Sequence, residues 1–190
     1  MNLIWQSARM VLALTLATGV VYPLAVTAIG QLLFPVQAGG SLIDRGGVIV
    51  GSGLIGQSMK DPRYFQPRPS ATGYNPLPSG GSNQGVTSQE LQVAAAQRIA
   101  ALRAANPAVG AGVLPADLVW ASASGLDPHI SPGAARLQVD RIVEARGFDA
   151  SRRAELESLI DSLIEPATFG FLGVPRINVL ALNLALDDIQ

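Results

Sequence analysis

No charged residue occurs between Arg9 and Asp44, and this run constrains the chain more than anything else in it. Its strongly apolar part, Met10 to Phe34, would measure about 37 Å as an α-helix. A bilayer's hydrocarbon core is ~30 Å thick, so the helix spans it with some tilt or with its ends among the headgroups. Trp5 and Phe34 fall near the two interfaces, where aromatic rings are favoured. Pro23 sits mid-span and would kink a helix, a break that neighbouring helices can satisfy. Ala13 and Ala17 form a small-xxx-small pair, read either as a close-packing face for a partner helix or as alanine filler. The alternative is a cleaved signal peptide with Arg9 as its basic region and Val26-Thr27-Ala28 before the cut. The apolar run is too long for that and continues past the site to Phe34.

Orientation follows from the basic flanks. Arg9 stands alone on the N-terminal side, whereas Arg45 is neighboured by Asp44. The positive-inside rule then puts residues 1–9 in the cytoplasm, the span at 10–34, a linker at 35–43 and residues 44–190 outside.

The remainder of the 190 residues makes about one ordinary domain. A net charge of −1 gives no basic field for nucleic acid. With no cysteine there is no disulfide, thiolate metal site or cysteine nucleophile. One histidine, His129, leaves little for zinc, and the sole lysine, Lys60, lies in no phosphate-binding loop. No metal site and no catalytic residue are assigned.

Val48-Ile49-Val50 reads as a strand between glycines. Residues 51–86 are crowded with Gly, Pro, Ser and Asn, and Tyr64, Phe65 and Tyr74 argue that this long loop is ordered. Thr87-Ser88-Gln89-Glu90 spells a capping box, followed by a helix with Leu91, Ala95, Ile99 and Leu102 on one face and Asn106-Pro107 at its end. Leu118 to Ala121 reads as a short strand. Ser131-Pro132 opens a helix that buries Ala135, Val139 and Ile142 and stops at Gly147. Another opens near Ser151 with Leu156, Leu159, Ile160 and Leu163 in register, and Pro166 closes it. Val174 to Asn178 reads as a strand and Val179, Leu182 and Leu186 as a final helix. The fold class is α+β.

Three groups of residues invite chemistry. Ser122 and Ser124, with Asp127 and His129, collect the parts of a hydrolytic triad, but without the G-x-S-x-G elbow the plainer reading is a turn that caps backbone groups. Ser79-Gly80-Gly81-Ser82-Asn83 could cradle a phosphate or make an ordinary turn. Arg63 and Arg68, beside Tyr64 and Phe65, could meet a partner's carboxylates.

Taken in order, Gly51-Ser52-Gly53-Leu54-Ile55-Gly56-Gln57, Tyr64-Phe65, Arg68-Pro69-Ser70-Ala71, Tyr74-Asn75 and Ser79-Gly80-Gly81-Ser82-Asn83 form a distinctive series. It continues with Ala121-Ser122-Ala123-Ser124-Gly125-Leu126-Asp127, Gln138-Val139-Asp140-Arg141 and the closing run from Asn178 to Asp187. Over nearly its whole length the chain resembles the KdpC family, one component of the bacterial Kdp potassium-transporting P-type ATPase. The resemblance implies an inner-membrane complex with three partners: a potassium-channel-like component, a P-type ATPase component, and a small single-span peptide. It implies a role in assembly and activity as a catalytic chaperone that raises the ATP affinity of the ATPase component. Ser79, Gly80, Gly81 and Gln138 resemble part of an ABC-type nucleotide signature, which would make them ATP-binding. Pro78 replaces the leucine of that signature and Ser82 its glutamine. An outward-facing domain cannot touch cytoplasmic ATP. On this topology the effect would travel through packed helices, and the domain could cap the outer potassium entrance.

Overall fold

A computed structural model describes residues 2–189 as two compact units, one up to Ser52 and one from Gly53 on. In the first unit α1 (Leu3–Leu16), a π turn (Ala17–Val21) and α2 (Tyr22–Leu33) join into one apolar helix of 31 residues, about 46 Å long. It begins seven residues before Met10 and takes in Arg9. The π turn is the answer to Pro23. Proline has no N–H to return to the carbonyl four residues back, and its ring crowds that carbonyl. The register slips by one residue just before it, so the Tyr22 N–H donates to the Ala17 carbonyl while the backbone stays helical (φ −62°, ψ −50° at Tyr22). The disturbance expected at Pro23 is absorbed there.

Phe34 leaves the helical region (φ −137°, ψ 57°) and α3 (Pro35–Ala38) adds one turn. Strands β1 (Leu42–Arg45) and β2 (Val48–Ser52) then pair antiparallel with Arg45 opposite Val48 and a bulge beyond Asp44. The two-residue turn is Gly46-Gly47, both at positive φ (66° and 84°), the geometry whose twist matches paired strands. The segment 35–43 holds a helical turn and the start of a strand.

The second unit is mixed α and β, as the composition of its segments suggests. Residues 53–88 contain neither helix nor strand. Helix α4 (Gln89–Ala105) follows, but its cap is Ser88, whose hydroxyl accepts from the Leu91 N–H at 3.4 Å. The box spelled from Thr87 is therefore displaced by one residue, and Glu90 accepts instead from the Gln84 amide at 2.6 Å. The strand expected at Leu118 to Ala121 is a correction: α5 (Ala116–Val119) is a single helical turn that buries Leu118 and Val119. The helix expected from Ser131 to Gly147 breaks at Gln138 into α6 (Pro132–Leu137) and α7 (Val139–Arg146). Ser131 caps the first at 3.1 Å, and Gly147 ends the second in the left-handed region. Helix α8 (Ala150–Ser162) is capped by Asp149 and α9 (Val179–Leu186) by Asn178.

Between α5 and α6 lies β3 (His129–Ile130), which pairs with β4 (Ile177–Asn178). Only the last two residues of the strand expected at Val174 to Asn178 make that ladder. The core forms where α6, α7, α8 and α9 meet: Ile142, Leu156, Ile160, Leu182 and Leu186 are fully buried with Ile177. Phe65 joins them from the long loop, also fully buried.

Candidate functional site

The segment Pro62 to Gln66 carries no strand partner, so its backbone polar groups need other partners. Side chains from two helices supply them. The Asn183 amide, on α9, receives the Phe65 N–H at 2.8 Å and donates to the Phe65 carbonyl at 3.0 Å. The Gln138 amide, between α6 and α7, receives the Gln66 N–H at 2.8 Å and donates to the Gln66 carbonyl at 3.1 Å. Each amide does for one residue what a neighbouring strand would do. Arg141, one turn past Gln138, donates to the Pro62 carbonyl, to the Tyr64 carbonyl at 3.1 Å and to the Gln138 amide oxygen at 2.7 Å. Its burial pushes the guanidinium pKa down, opposed by the Asp61 carboxylate.

Arg146 completes the clamp. It donates to the Arg63 carbonyl at 2.9 Å, pairs with Asp187 at 2.7 Å and lies over the Tyr64 ring at 4.9 Å. The Tyr64 hydroxyl donates to the other Asp187 oxygen at 3.2 Å. This polar network fixes the residues on either side of Phe65 and so drives its ring into the core.

A second group of loops closes on glycines. The Gly56 N–H donates to the Leu126 carbonyl at 2.8 Å, and a Cβ at Gly56 would sit 2.5 Å from the Asp127 carbonyl oxygen. Gly125, at φ 69°, has the Gly80 carbonyl oxygen and the Thr72 hydroxyl each 2.8 Å from where a Cβ would be. A Cβ at Gly81 would sit 3.0 Å from the Ala123 carbonyl oxygen. The segments around residues 56, 72, 80 and 125 therefore come together through backbone contact. Tyr74 bolts the same region by donating to the Arg68 carbonyl at 2.7 Å, and burial raises its phenol pKa.

The residues singled out in the sequence fall as follows. Gln138 is 1% exposed, and both donors and both lone pairs of its amide are taken, the fourth bond going to the Ala134 carbonyl at 3.3 Å. Ser79 is exposed, and Gly80 and Gly81 pack on the loop at 123–125, so Gln138 and the Ser79 turn have separate partners. Arg63 lies against Asp61 at 2.7 Å and holds that carboxyl down to about 2. Arg68 pairs with Asp127 at 2.9 Å. Tyr64 and Phe65 belong to the clamp. Ala13 and Ala17 are exposed on the apolar helix, and the π turn starts at Ala17.

Asp127 Oδ1 accepts the His129 backbone N–H at 3.0 Å, with the ring Nδ1 3.5 Å away, and the Ser124 hydroxyl accepts the Leu126 N–H at 3.1 Å. Among the described residues no hydrogen bond joins His129 to Ser122 or Ser124. The arrangement is a capped turn. Beside it lies a cleft of about 330 Å³ lined by Arg68, Asp117, His129, Val174 and Arg176. Another, of about 360 Å³, is lined by Met59, Gln66, Tyr74, Arg98 and Leu118.

Residues 4–188 match the family model described as "KdpC: K+-transporting ATPase, c chain". Three relatives, each named as a potassium-transporting ATPase KdpC subunit, share this length. The chain is 55% identical to that of Rhodospirillum rubrum over 93% of this chain and 90% of the relative. It is 53% identical to that of Methylococcus capsulatus, covering 95% of both. With that of Geobacter metallireducens the identity is 50%, over 100% of this chain and 99% of the relative.

Proposed function

The chain belongs to the KdpC family, the c chains of K+-transporting ATPases, and from that premise we propose that it is a non-catalytic accessory subunit of a potassium pump. One apolar helix, Leu3–Leu33, anchors it in the membrane, and the unit from Gly53 onward stands on the extracytoplasmic side. The observation that carries this reading is that helix, with no charge from Met10 to its end. A lone helix with no charged group across the span is no ion pathway by itself; it is an anchor that packs against other spans.

The domain acts by shape rather than by chemistry. Its polar side chains are spent on holding loops: Gln138, Asn183 and Arg141 on residues 62–66, and Asp127 on its own turn and on Arg68. This supports a rigid block that caps the outer potassium entrance, with the channel-like, ATPase and small components of the pump as its partners. Its effect on ATP hydrolysis is then a coupling free energy passed through the anchor helix, not a contact with nucleotide.

The test begins with topology. A cysteine at exposed Ser151, in a chain with none of its own, reacts in intact cells with a membrane-impermeant thiol reagent. Labelling only after lysis would place the domain inside and return Ser79, Gly80 and Gly81 to contention as an ATP contact. Deleting residues 10–34 abolishes potassium-stimulated ATP hydrolysis by the complex; undiminished hydrolysis would refute the anchor role.

A further inference from the structure

Between α8 and α9 the chain makes a small hairpin that no part of the clamp uses. Its base is the pairing of Glu165 with Arg176, whose backbones bond at 2.8 and 3.0 Å and whose side chains meet at 3.0 Å. Further out, Thr168 and Leu172 exchange two backbone bonds of 2.9 Å. The tip is Phe169-Gly170-Phe171-Leu172, continued by Gly173 and Val174. Phe169 is 83% exposed, Phe171 76%, Val174 70% and Leu172 51%. No residue from Ala167 to Pro175 is charged. Phe169 also sits at φ 55°, a region a bulky side chain enters only where the surrounding backbone enforces it. A shaped, apolar, uncharged knob in water has a free-energy cost unless something covers it.

We propose that this hairpin tip is the anchor by which the domain docks into an apolar, uncharged socket on the water-exposed face of another protein of the pump. The inference rests on the accessory-subunit reading. Three observations favour a protein socket over other covers. First, a lipid surface takes up Phe and Leu, but a stable hold there also draws on Trp or Tyr rings at the interface and on basic flanks. This tip has none, its one basic neighbour is paired with Glu165, and residues 53–189 carry eleven Lys and Arg against thirteen Asp and Glu. Second, the bonded hairpin presents one fixed shape, which matters to a complementary pocket and not to fluid lipid. Third, the four side chains offer on the order of 400–500 Å². Two copies meeting tip to tip would bury about 900 Å², short of the ~1,200 Å² at which stable interfaces begin. A partner already joined through the membrane helix needs less, because tethering raises the effective concentration.

The test uses the assembled pump in membranes. A photoreactive benzoylphenylalanine replaces Phe169, Phe171 or Val174 in turn. Irradiation is expected to give an adduct of this chain with a different protein of the pump. Adducts with lipid alone, with a second copy of this chain, or none at any of the three positions would overturn the proposal. In parallel, the double variant Phe169→Ser with Phe171→Ser is expected to be retained on the tagged complex about 30-fold less well, as when buried aromatic anchors are truncated. Val113→Ser, at a residue 96% exposed elsewhere, is expected to be retained normally. Equal retention of both variants would also overturn it. Should the unaltered chain itself fail to co-purify with the pump, the accessory-subunit reading falls rather than the hairpin.

Discussion

Replacing Gln138 with methionine keeps the length of the side chain and removes its amide. Three of the four lost bonds decide the magnitude. The two to the Gln66 backbone are worth ~1 kcal/mol each, since Gln66 is only half-buried and water replaces part of them. The third comes from the Arg141 guanidinium, 8% exposed, and a charged donor raises its worth to ~1.5–3 kcal/mol. Arg141 retains the Pro62 and Tyr64 carbonyls, so the charge is not wholly stranded. The variant should therefore lose about 3–5 kcal/mol, a large part of the ~5–15 kcal/mol typical of a folded protein. For a chain of this length that lowers Tm by on the order of 10 °C. Thermal unfolding of the detergent-solubilised chain, followed by near-ultraviolet circular dichroism, measures it. Ser79→Ala, at an exposed turn, should leave Tm unchanged. A loss below about 1 kcal/mol would refute the clamp. Normal stability of Gln138→Met with weakened ATP dependence of the pump would instead make Gln138 a nucleotide contact.

Other outcomes follow from the same contacts. Gly56→Ala drives a methyl group to within 2.5 Å of the Asp127 carbonyl oxygen and should cost about 1–3 kcal/mol in the same unfolding experiment, as overpacking does. Asp61 should stay ionised to about pH 2 because Arg63 holds it. Its folded pKa is depressed, so whatever that pair contributes is present above the unfolded value near 3.8 and lost as pH falls toward 2. A carboxyl resonance titrating near 2, and moving up in Arg63→Ala, checks this. His129→Ala should leave potassium-stimulated ATP hydrolysis intact, because the backbone N–H of residue 129 still closes the Asp127 turn; abolished turnover with normal assembly would give the imidazole a role in the pump.

What the sequence disclosed was whatever repeats at short range. The apolar faces of α8 and α9, and the caps at Ser131 and Gly147, are patterns within a few residues. Leu118 to Ala121 misled because four apolar residues fit a strand and a buried helical turn equally well. The clamp was hidden for a different reason: its bonds to residues 62–66 reach across more than seventy positions of sequence, and no local pattern records them. One signal was available. Asn183 interrupts the run Val179 to Leu186, and a lone amide on an apolar helix needs a partner. Gln138 was noticed through family likeness, which pointed to nucleotide rather than to the carbonyl and N–H it serves. The apolar hairpin at 165–176 could also have been suspected from two phenylalanines beside glycines, but exposure is not written in sequence.

On residues 65 and 66 the amides of Gln138 and Asn183 grip main-chain atoms and no side chain. Main chain is common to every amino acid except for the missing N–H of proline. The course of this loop is thus addressed from positions 72 and 118 residues away, and at residue 63 Arg146 likewise holds the carbonyl, so replacing that side chain gives up only its exposed pair with Asp61. An epitope tag or spectroscopic label placed there would ride on a fixed track, and moving the track itself would require editing the helices.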